Sequence, residues 1–422
     1  MNSQIPTTRR RFLAKVAAST AGGVLLPQSI GLTAPNEEGE TDHFWYRLAP
    51  KNGPYIDSQR DNKAFGIGEG KIYFSADNAR TWIHGVDFPD TANLNFSSIL
   101  GNGNIVFATR GKIYVSTDNL ESYRELKVTD RDGSEYLPHT PKDPAKAGWY
   151  FYSLDGVHTW EVGGKEMMIW GNYCNVKSEP LPVNIYYSTD GGETVKIAYS
   201  FGQNPRFQYK DADPKSWLGN PDNKVVCRHV HSVSYNKAEN AFYACSGDID
   251  RGHGHECHWL RGTYDAKGDS WNWKVVVSSN SNSRYKSGGI NFVDGQAYWV
   301  ADANGKASPE GTYDRGIFRC NPTDIADKSK HTKLYDMKYE MACMTIEDGV
   351  IVAPHYGNAT PSDTGFLISL DLGKTWGNYD LKQFGDRSGV RVSKKNSEGW
   401  FRVGLRQKWL DRAEVLFIKP KV

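Results

Sequence analysis

Ser75-Ala-Asp77-Asn-Ala-Arg-Thr81-Trp82 returns three times along the chain. The later copies are Ser116-Thr-Asp118-Asn-Leu-Glu-Ser122-Tyr123, Ser188-Thr-Asp190-Gly-Gly192-Glu-Thr194-Val195 and Ser369-Leu-Asp371-Leu-Gly373-Lys-Thr375-Trp376. Their common form is S-x-D-x-(G)-x-T-(W). Each closes an alternating, strand-like run: Lys71-Ile-Tyr-Phe, Lys112-Ile-Tyr-Val, Asn184-Ile-Tyr-Tyr and Gly365-Phe-Leu-Ile. An aspartate at this position of a tight turn can accept hydrogen bonds from backbone donors across it. Glycine, where present, supplies the backbone conformation, and the terminal aromatic packs back over the hairpin.

Reading outward from each copy, a unit of three strands recurs. One unit is Phe96–Leu100, Asn104–Ala108 and the run ending at Ser116; the next is His158–Val162, Glu166–Trp170 and Asn184–Ser188. The next two units lack the motif, as does the last: His229–Val233, Ala241–Cys245, His258–Thr263, and Gly289–Val293, Gln296–Val300, Gly316–Cys320. Then come Met341–Ile346, Val350–Ala353 and the run to Ser369, and finally Gly389–Val392, Trp400–Val403 and Glu414–Ile418. With Phe65–Trp82 these make seven units, at or above the ~40–50 residues typical of propeller repeats. The motif resembles the Asp-box, or BNR sialidase-type repeat, which sits on hairpin turns of propeller blades and is not itself catalytic. The expectation is an all-β, seven-bladed β-propeller over residues 40–422, with almost no helix. His43-Phe-Trp-Tyr-Arg-Leu48 is expected to complete the last blade and close the ring. The 13 Trp, 23 Tyr and 42 Gly suit many short aromatic strands joined by tight turns.

Residues 1–34 read as a twin-arginine signal peptide. Thr7-Thr8-Arg9-Arg10-Arg11-Phe12-Leu13-Ala14-Lys15 precedes the modestly apolar Val16–Leu26 and the small-residue region Gly31–Ala34. The apolar stretch is too short and too rich in Ala and Gly to span a membrane. This predicts a periplasmic or extracellular protein. The net charge of +2 provides no strong field for nucleic acid or membrane. Binding of an acidic polymer then has to come from a local cleft, and a monomer is expected.

All six cysteines, Cys174, Cys227, Cys245, Cys257, Cys320 and Cys343, follow the leader. In an oxidising compartment an even number permits disulfides. Cys227-Arg-His229-Val-His231, Cys245 and His253-Gly-His255-Glu-Cys257-His258 also form a dense set of metal-ligand types. The expected structural zinc set is His231, Cys245, His255 and Cys343, and nothing points to an organic cofactor. Disulfides with solvent-facing histidines are the competing reading.

The loops that enter inner strands of a propeller line its functional face. His158, Arg228, His229, His231, Glu340 and Arg391 fall at or near such starts, and two long insertions, about residues 124–157 and 196–226, carry His139 and Tyr209. Ser153-Leu-Asp155-Gly-Val-His158-Thr159-Trp160 mimics the repeated motif, which would put His158 on a peripheral turn. The inner-strand placement is preferred because Glu166–Trp170 needs a partner directly before it.

Function is read in three ways. Sialidases need an arginine trio, an Asp acid/base, a Tyr-Glu pair and a Phe/Tyr-Arg-Ile-Pro run. Tyr46-Arg47-Leu48-Ala49-Pro50 is the nearest match, with one residue inserted, and neither the trio nor the pair can be assigned. A rhamnosidase-like exo-glycosidase belongs with this reading. Alternatively, the chain resembles the exported seven-bladed propeller lyases that cleave ulvan, a sulfated uronic-acid polymer. That resemblance rests on Arg228-His229-Val-His231-Ser-Val, on Tyr243-Ala-Cys245-Ser-Gly-Asp248 and on Trp170-Gly-Asn-Tyr173. It implies paired histidines, a tyrosine, an arginine and a structural zinc. The order His139, His158, Tyr209, Arg228 matches the catalytic set, with Tyr173 and Tyr199 competing for the tyrosine and Tyr173 and Arg391 as substrate-binding residues. β-Elimination removes the C5 proton of a uronate. Arg228 would neutralise the carboxylate, His158, His139 or Tyr209 would take the proton, and another of them would protonate the leaving O4. The third reading is a non-catalytic propeller that binds glycan through its aromatics.

Overall fold

Seven antiparallel sheets follow one another along the chain in the computed structural model. It describes residues 29–31, 38–49, 53–109, 111–136, 150–173, 182–202, 219–247, 257–280, 283–303, 314–337, 339–355, 364–384, 388–406 and 414–422. The innermost strand of each blade, in order, is Tyr55–Arg60, Leu94–Ile99, His158–Val162, His229–Asn236, Ser287–Val293, Thr345–Glu347 and Ser388–Ser393. Each hairpins into a second strand, and a third and an outer strand follow in order. Four antiparallel strands return the chain to the side it started from, so every inner strand runs the same way around one channel. The end where the inner strands begin is called here the leading face, and the end where they finish the trailing face. The expected seven-bladed propeller is the observed fold.

Closure uses the N-terminal run as expected. Phe44–Leu48 pairs antiparallel with Glu414–Pro420 in the last blade, Phe44 opposite Pro420 and Leu48 opposite Leu416. Glu38–Glu40 adds a further strand outside it, and Ser29–Gly31 lies against Thr81–Ile83 at the outer edge of the first blade.

The blades hold together through their apolar faces. Trp82, Trp170, Trp259, Trp299, Phe65, Phe96 and Phe107 are all at most 2 % exposed, and the alternation along each strand sends these side chains between neighbouring sheets. Burying each contributes about 1.5–3 kcal/mol.

The four S-x-D turns have one geometry and lie on the trailing side, between third and outer strands. The serine hydroxyl donates to the aspartate at 2.8–2.9 Å. The aspartate then accepts the Thr81, Ser122, Thr194 or Thr375 hydroxyl at 2.6–2.7 Å and the amide of that same residue at 2.9–3.0 Å. The two residues at the tip adopt positive φ, as at Gly191 (73°) and Gly192 (79°); Asn119 and Leu120 do so without glycine, at 59° and 69°.

Two classes of strand escape the sequence pattern. Tyr55–Arg60, the inner strand of the first blade, reads Tyr-Ile-Asp-Ser-Gln-Arg because its polar residues face the channel. The outer strands, of which Ser270–Ser279 is the longest, are half solvent-exposed edges that pack one face only, as Trp271 and Trp273 do.

Candidate functional site in the central channel

A strap from the third blade crosses the channel. Residues 150–155 run ahead of the inner strand His158–Val162 and are tied to four other blades. Tyr173 donates its amide to the Tyr152 carbonyl at 2.6 Å within the strap's own blade. The Phe151 amide reaches Asn95 Oδ1 of the second blade at 3.3 Å. Ser232 of the fourth donates to Asp155 at 2.9 Å. Arg391 of the seventh donates to the Ser153 carbonyl at 2.5 Å and lies 4.9 Å over the Tyr152 ring. Tyr152 and Leu154 pack with Tyr173 and with Ala342, which leads into the sixth blade. Burial opposes the charge of Arg391, but Tyr152 and Asp57 beside it outweigh that and raise its pKa.

On the leading side of the strap sits a cluster of one phenol and two imidazoles. The Tyr173 ring stacks on His229 with centroids 3.8 Å apart and planes 14° from parallel. His231 is 4.9 Å from His229 and 5.5 Å from Tyr173. His229 and His231 stand two apart on one strand, so their side chains share a face, and the register of that strand shifts between Val230 and Ser232. Gly247 opposite is required for the approach, since a Cβ there would lie 2.6 Å from His231 Nε2. Behind His231, Nδ1 is 3.7 Å from Asp302 Oδ2, which also faces the Lys286 ammonium at 3.4 Å. All three are buried, Tyr173 at 6 % exposed, His229 at 0 % and His231 at 1 %. Arg228, half-buried, directly precedes the cluster, its amide bonded to the Gly247 carbonyl at 3.3 Å.

On the trailing side lies a polar cavity of about 290 Å³, walled by the later parts of the inner strands of the first, second, sixth and seventh blades and, in the third, by Asp155–Thr159. His158 lines it, with Nε2 3.6 Å from Asp155 Oδ1. Arg60 enters from the first blade, paired with Glu166 and donating to Thr159 at 3.3 Å. Asp57 accepts both the amide and the hydroxyl of Ser97 at 2.7 Å. Burial pushes the Glu347 carboxyl above its ordinary pKa.

The expected site residues therefore divide. Tyr173 and Arg228 belong to the leading side. His158 and Arg391 line the trailing cavity, so His158 and Arg228 do not share a wall: the strap, which sequence reading took for part of a loop, lies between. His158 does open its inner strand, and Asp155 takes its hydrogen bond from Ser232 rather than from a local turn. His139, Tyr209 and His255 lie outside the described residues. Of the expected zinc ligands, Cys245 stands opposite Ser232, not diagonal to His231. Its thiol donates to the Tyr285 carbonyl at 3.2 Å, and desolvation pushes it up to about 11. Cys343 packs in a separate hydrophobic cluster with Val350 and Val352. Among the described residues no group of three or more His, Cys, Asp or Glu gathers to hold a metal ion. Sequence reasoning missed Asp302 and Lys286, which no local motif marks. It had His229 in view among the metal-ligand types of Arg228-His229-Val-His231 but did not place it in the catalytic set.

No family model matches the chain, and no curated protein matches it. Among the described residues no helix is long and apolar enough to cross a membrane. Solved structures similar to the chain include the extracellular domain of a one-component system from B. thetaiotaomicron (10 % identity, 90 % of this chain and 45 % of that one, TM-score 0.48). Another is the extracellular domain of a hybrid two-component system from the same organism (14 %, 88 % and 39 %, 0.48). A third is the Penicillium chrysogenum α-L-arabinanase complexed with arabinobiose (13 %, 77 % and 92 %, 0.41). The chain spans less than half the length of the two extracellular domains it resembles.

Proposed function

We propose that the protein is an exported lyase that cleaves a uronate-containing, ulvan-like polysaccharide by β-elimination at the leading mouth of the channel. The observation that carries this reading is the stack of Tyr173 on His229, with His231 beside it and Arg228 one residue away. Arg228 offers a permanent charge and a planar fork to the uronate carboxylate, which raises the acidity of C5. One member of the Tyr173–histidine group takes the C5 proton. The C4–O4 bond breaks as the C4–C5 double bond forms, and a second member returns a proton to O4. Asp302 behind His231 supports a positive charge on that ring as the proton moves. His139 and Tyr209 sit on connections between an outer strand and the next inner strand. Neither lies among the described residues, and both are kept as further candidates for the proton transfers.

A sialidase fits less well. Arg47, the arginine of the nearest motif, is 8 % exposed on the closing strand, with its guanidinium 4.6 Å over Phe417 and 5.1 Å over Trp400. It is part of the last blade's packing and is not presented to a substrate carboxylate.

The test is the ultraviolet absorbance of the unsaturated uronate product, read on a panel of uronic-acid polymers with ulvan first. Tyr173→Phe is expected to slow the rise by roughly 10²–10⁴-fold while the circular dichroism spectrum stays unchanged. Absence of the chromophore on the whole panel defeats the lyase reading and leaves a glycosidase or a glycan binder.

A further inference from the structure

The trailing cavity takes no part in the chemistry above. We propose that it is a second binding site, separated by the strap from the leading mouth, for one small sugar acid: a hydroxylated monocarboxylate of monosaccharide size.

Size is the first argument. About 290 Å³ lies at the low end of small-molecule pockets, about 300–1,000 Å³, which suits a single ring and not a chain. The second is the wall, in which Ser58, Ser98, Thr159, Ser393 and Gln59 supply neutral donors and acceptors. These match sugar hydroxyls, and such a ligand replaces the water that a polar cavity otherwise holds.

The third is the placement of charge. The wall carboxylates already have partners: Asp57 accepts from Ser97 and lies 4.0 Å from the Arg391 guanidinium, Asp155 accepts from Ser232 with His158 3.6 Å away, and Glu347 accepts from the Lys395 amide at 2.6 Å. They remain able to accept hydroxyl protons, and they repel a ligand of high negative charge. Among the cations, Arg402 is 2 % exposed and donates to Ser393 Oγ and to the Ile56 carbonyl at 2.7 Å, both neutral. A buried guanidinium with neutral partners favours one anion nearby. Lys394 stands exposed at the rim, its ammonium 4.8 Å over the Trp160 ring, where it can meet a carboxylate arriving from solvent. One negative charge with several hydroxyls satisfies both sets of groups. A phosphate dianion does not, and a neutral sugar leaves the cations unanswered.

Isothermal titration calorimetry of the full chain with D-glucuronate, D-glucose and inorganic phosphate tests this. Glucuronate is expected to bind, glucose to give no saturable heat, and phosphate to bind more weakly than glucuronate. Lys394→Ala, at an exposed position that folding tolerates, is expected to weaken glucuronate about tenfold, the loss of one charge-assisted contact. Tyr173→Phe, across the strap, leaves the affinity in place. The proposal is overturned by the absence of glucuronate binding, by equal binding of glucose, by tighter binding of phosphate, or by loss of affinity in Tyr173→Phe but not in Lys394→Ala. Because polymer cleavage is read separately at the leading mouth, either reading can fail alone.

Discussion

A single carboxylate in each S-x-D turn replaces a small local network of backbone bonds. Asp371 shows the effect most strongly: the Thr375 hydroxyl and amide, then the Ser369 hydroxyl and the Lys374 amide, bring its carboxyl down to about 2. At Asp77, Asp118 and Asp190 burial pushes the other way, but the same hydrogen bonds outweigh it and hold the group below its ordinary value. The sign follows from linkage. A carboxyl depressed by folding contributes stability that is present above its unfolded pKa of about 3.9 and is lost as pH falls through the folded value. Asp371→Ala is expected to cost about 1–3 kcal/mol at neutral pH, and Asp371→Asn to flatten the acid limb of stability. Urea midpoints followed from neutral to strongly acidic pH test both, and an acid limb unchanged in the Asn variant contradicts the assignment. Cys245 works in the opposite sense. With its thiol pushed up to about 11 by burial and bonded to Tyr285, it is expected to resist iodoacetamide in the native protein and to be labelled once unfolded. Native labelling, seen by mass spectrometry, would count against that environment.

At the scale of the strand, what could be read in advance was what the chain buries. Ala241–Gly247 and Gln296–Ala301 are packed between sheets and read as near-continuous apolar runs. The closing strand was legible for the same reason: Phe44 and Leu48 face a hydrophobic cluster with Val403, Leu416 and Ile418. Tyr55–Arg60 was not, because residues that line a wet channel obey no rule of apolar periodicity. The outer strands were not, because only one face of each packs against a neighbour and solvent accepts any side chain on the other. Phe44→Ala removes a fully buried ring from the ring's closure and is expected to cost about 3–5 kcal/mol. If the last blade is the clasp of the propeller, the loss appears in the global denaturant midpoint and not as local fraying. A midpoint within experimental scatter of the unchanged protein would show that the closure does not govern stability.

Across the whole molecule, only the run Arg228-His229-Val-His231 announced its place at the channel in the sequence. Asp302, Lys286, Tyr152 and Ala342 meet it through blades far apart along the chain, and strand patterns carry no information on which loops converge at a ring's axis. The strap is the clearest case: its box-like sequence hid a crossing segment that divides the channel into a leading mouth and a trailing cavity. Arg391, 7 % exposed, is its main tie. Arg391→Leu is expected to destabilise the protein by about 3–5 kcal/mol, since Asp57 and two carbonyls lose their partner. Hydrogen exchange should quicken first at the Phe151 and Tyr173 amides. Faster exchange spread evenly over all blades would mean that the segment is not a separately anchored strap. The closing pair has a mechanical consequence. Phe44 stands opposite Pro420, so the chain's two directions leave the clasp at the same end of the ladder. Tension between them, once Glu38–Glu40 is stripped away, loads the rungs one at a time from Phe44 to Leu48. Under pull the ring thus opens like a zipper, at a force far below that needed to shear the same strands lengthwise.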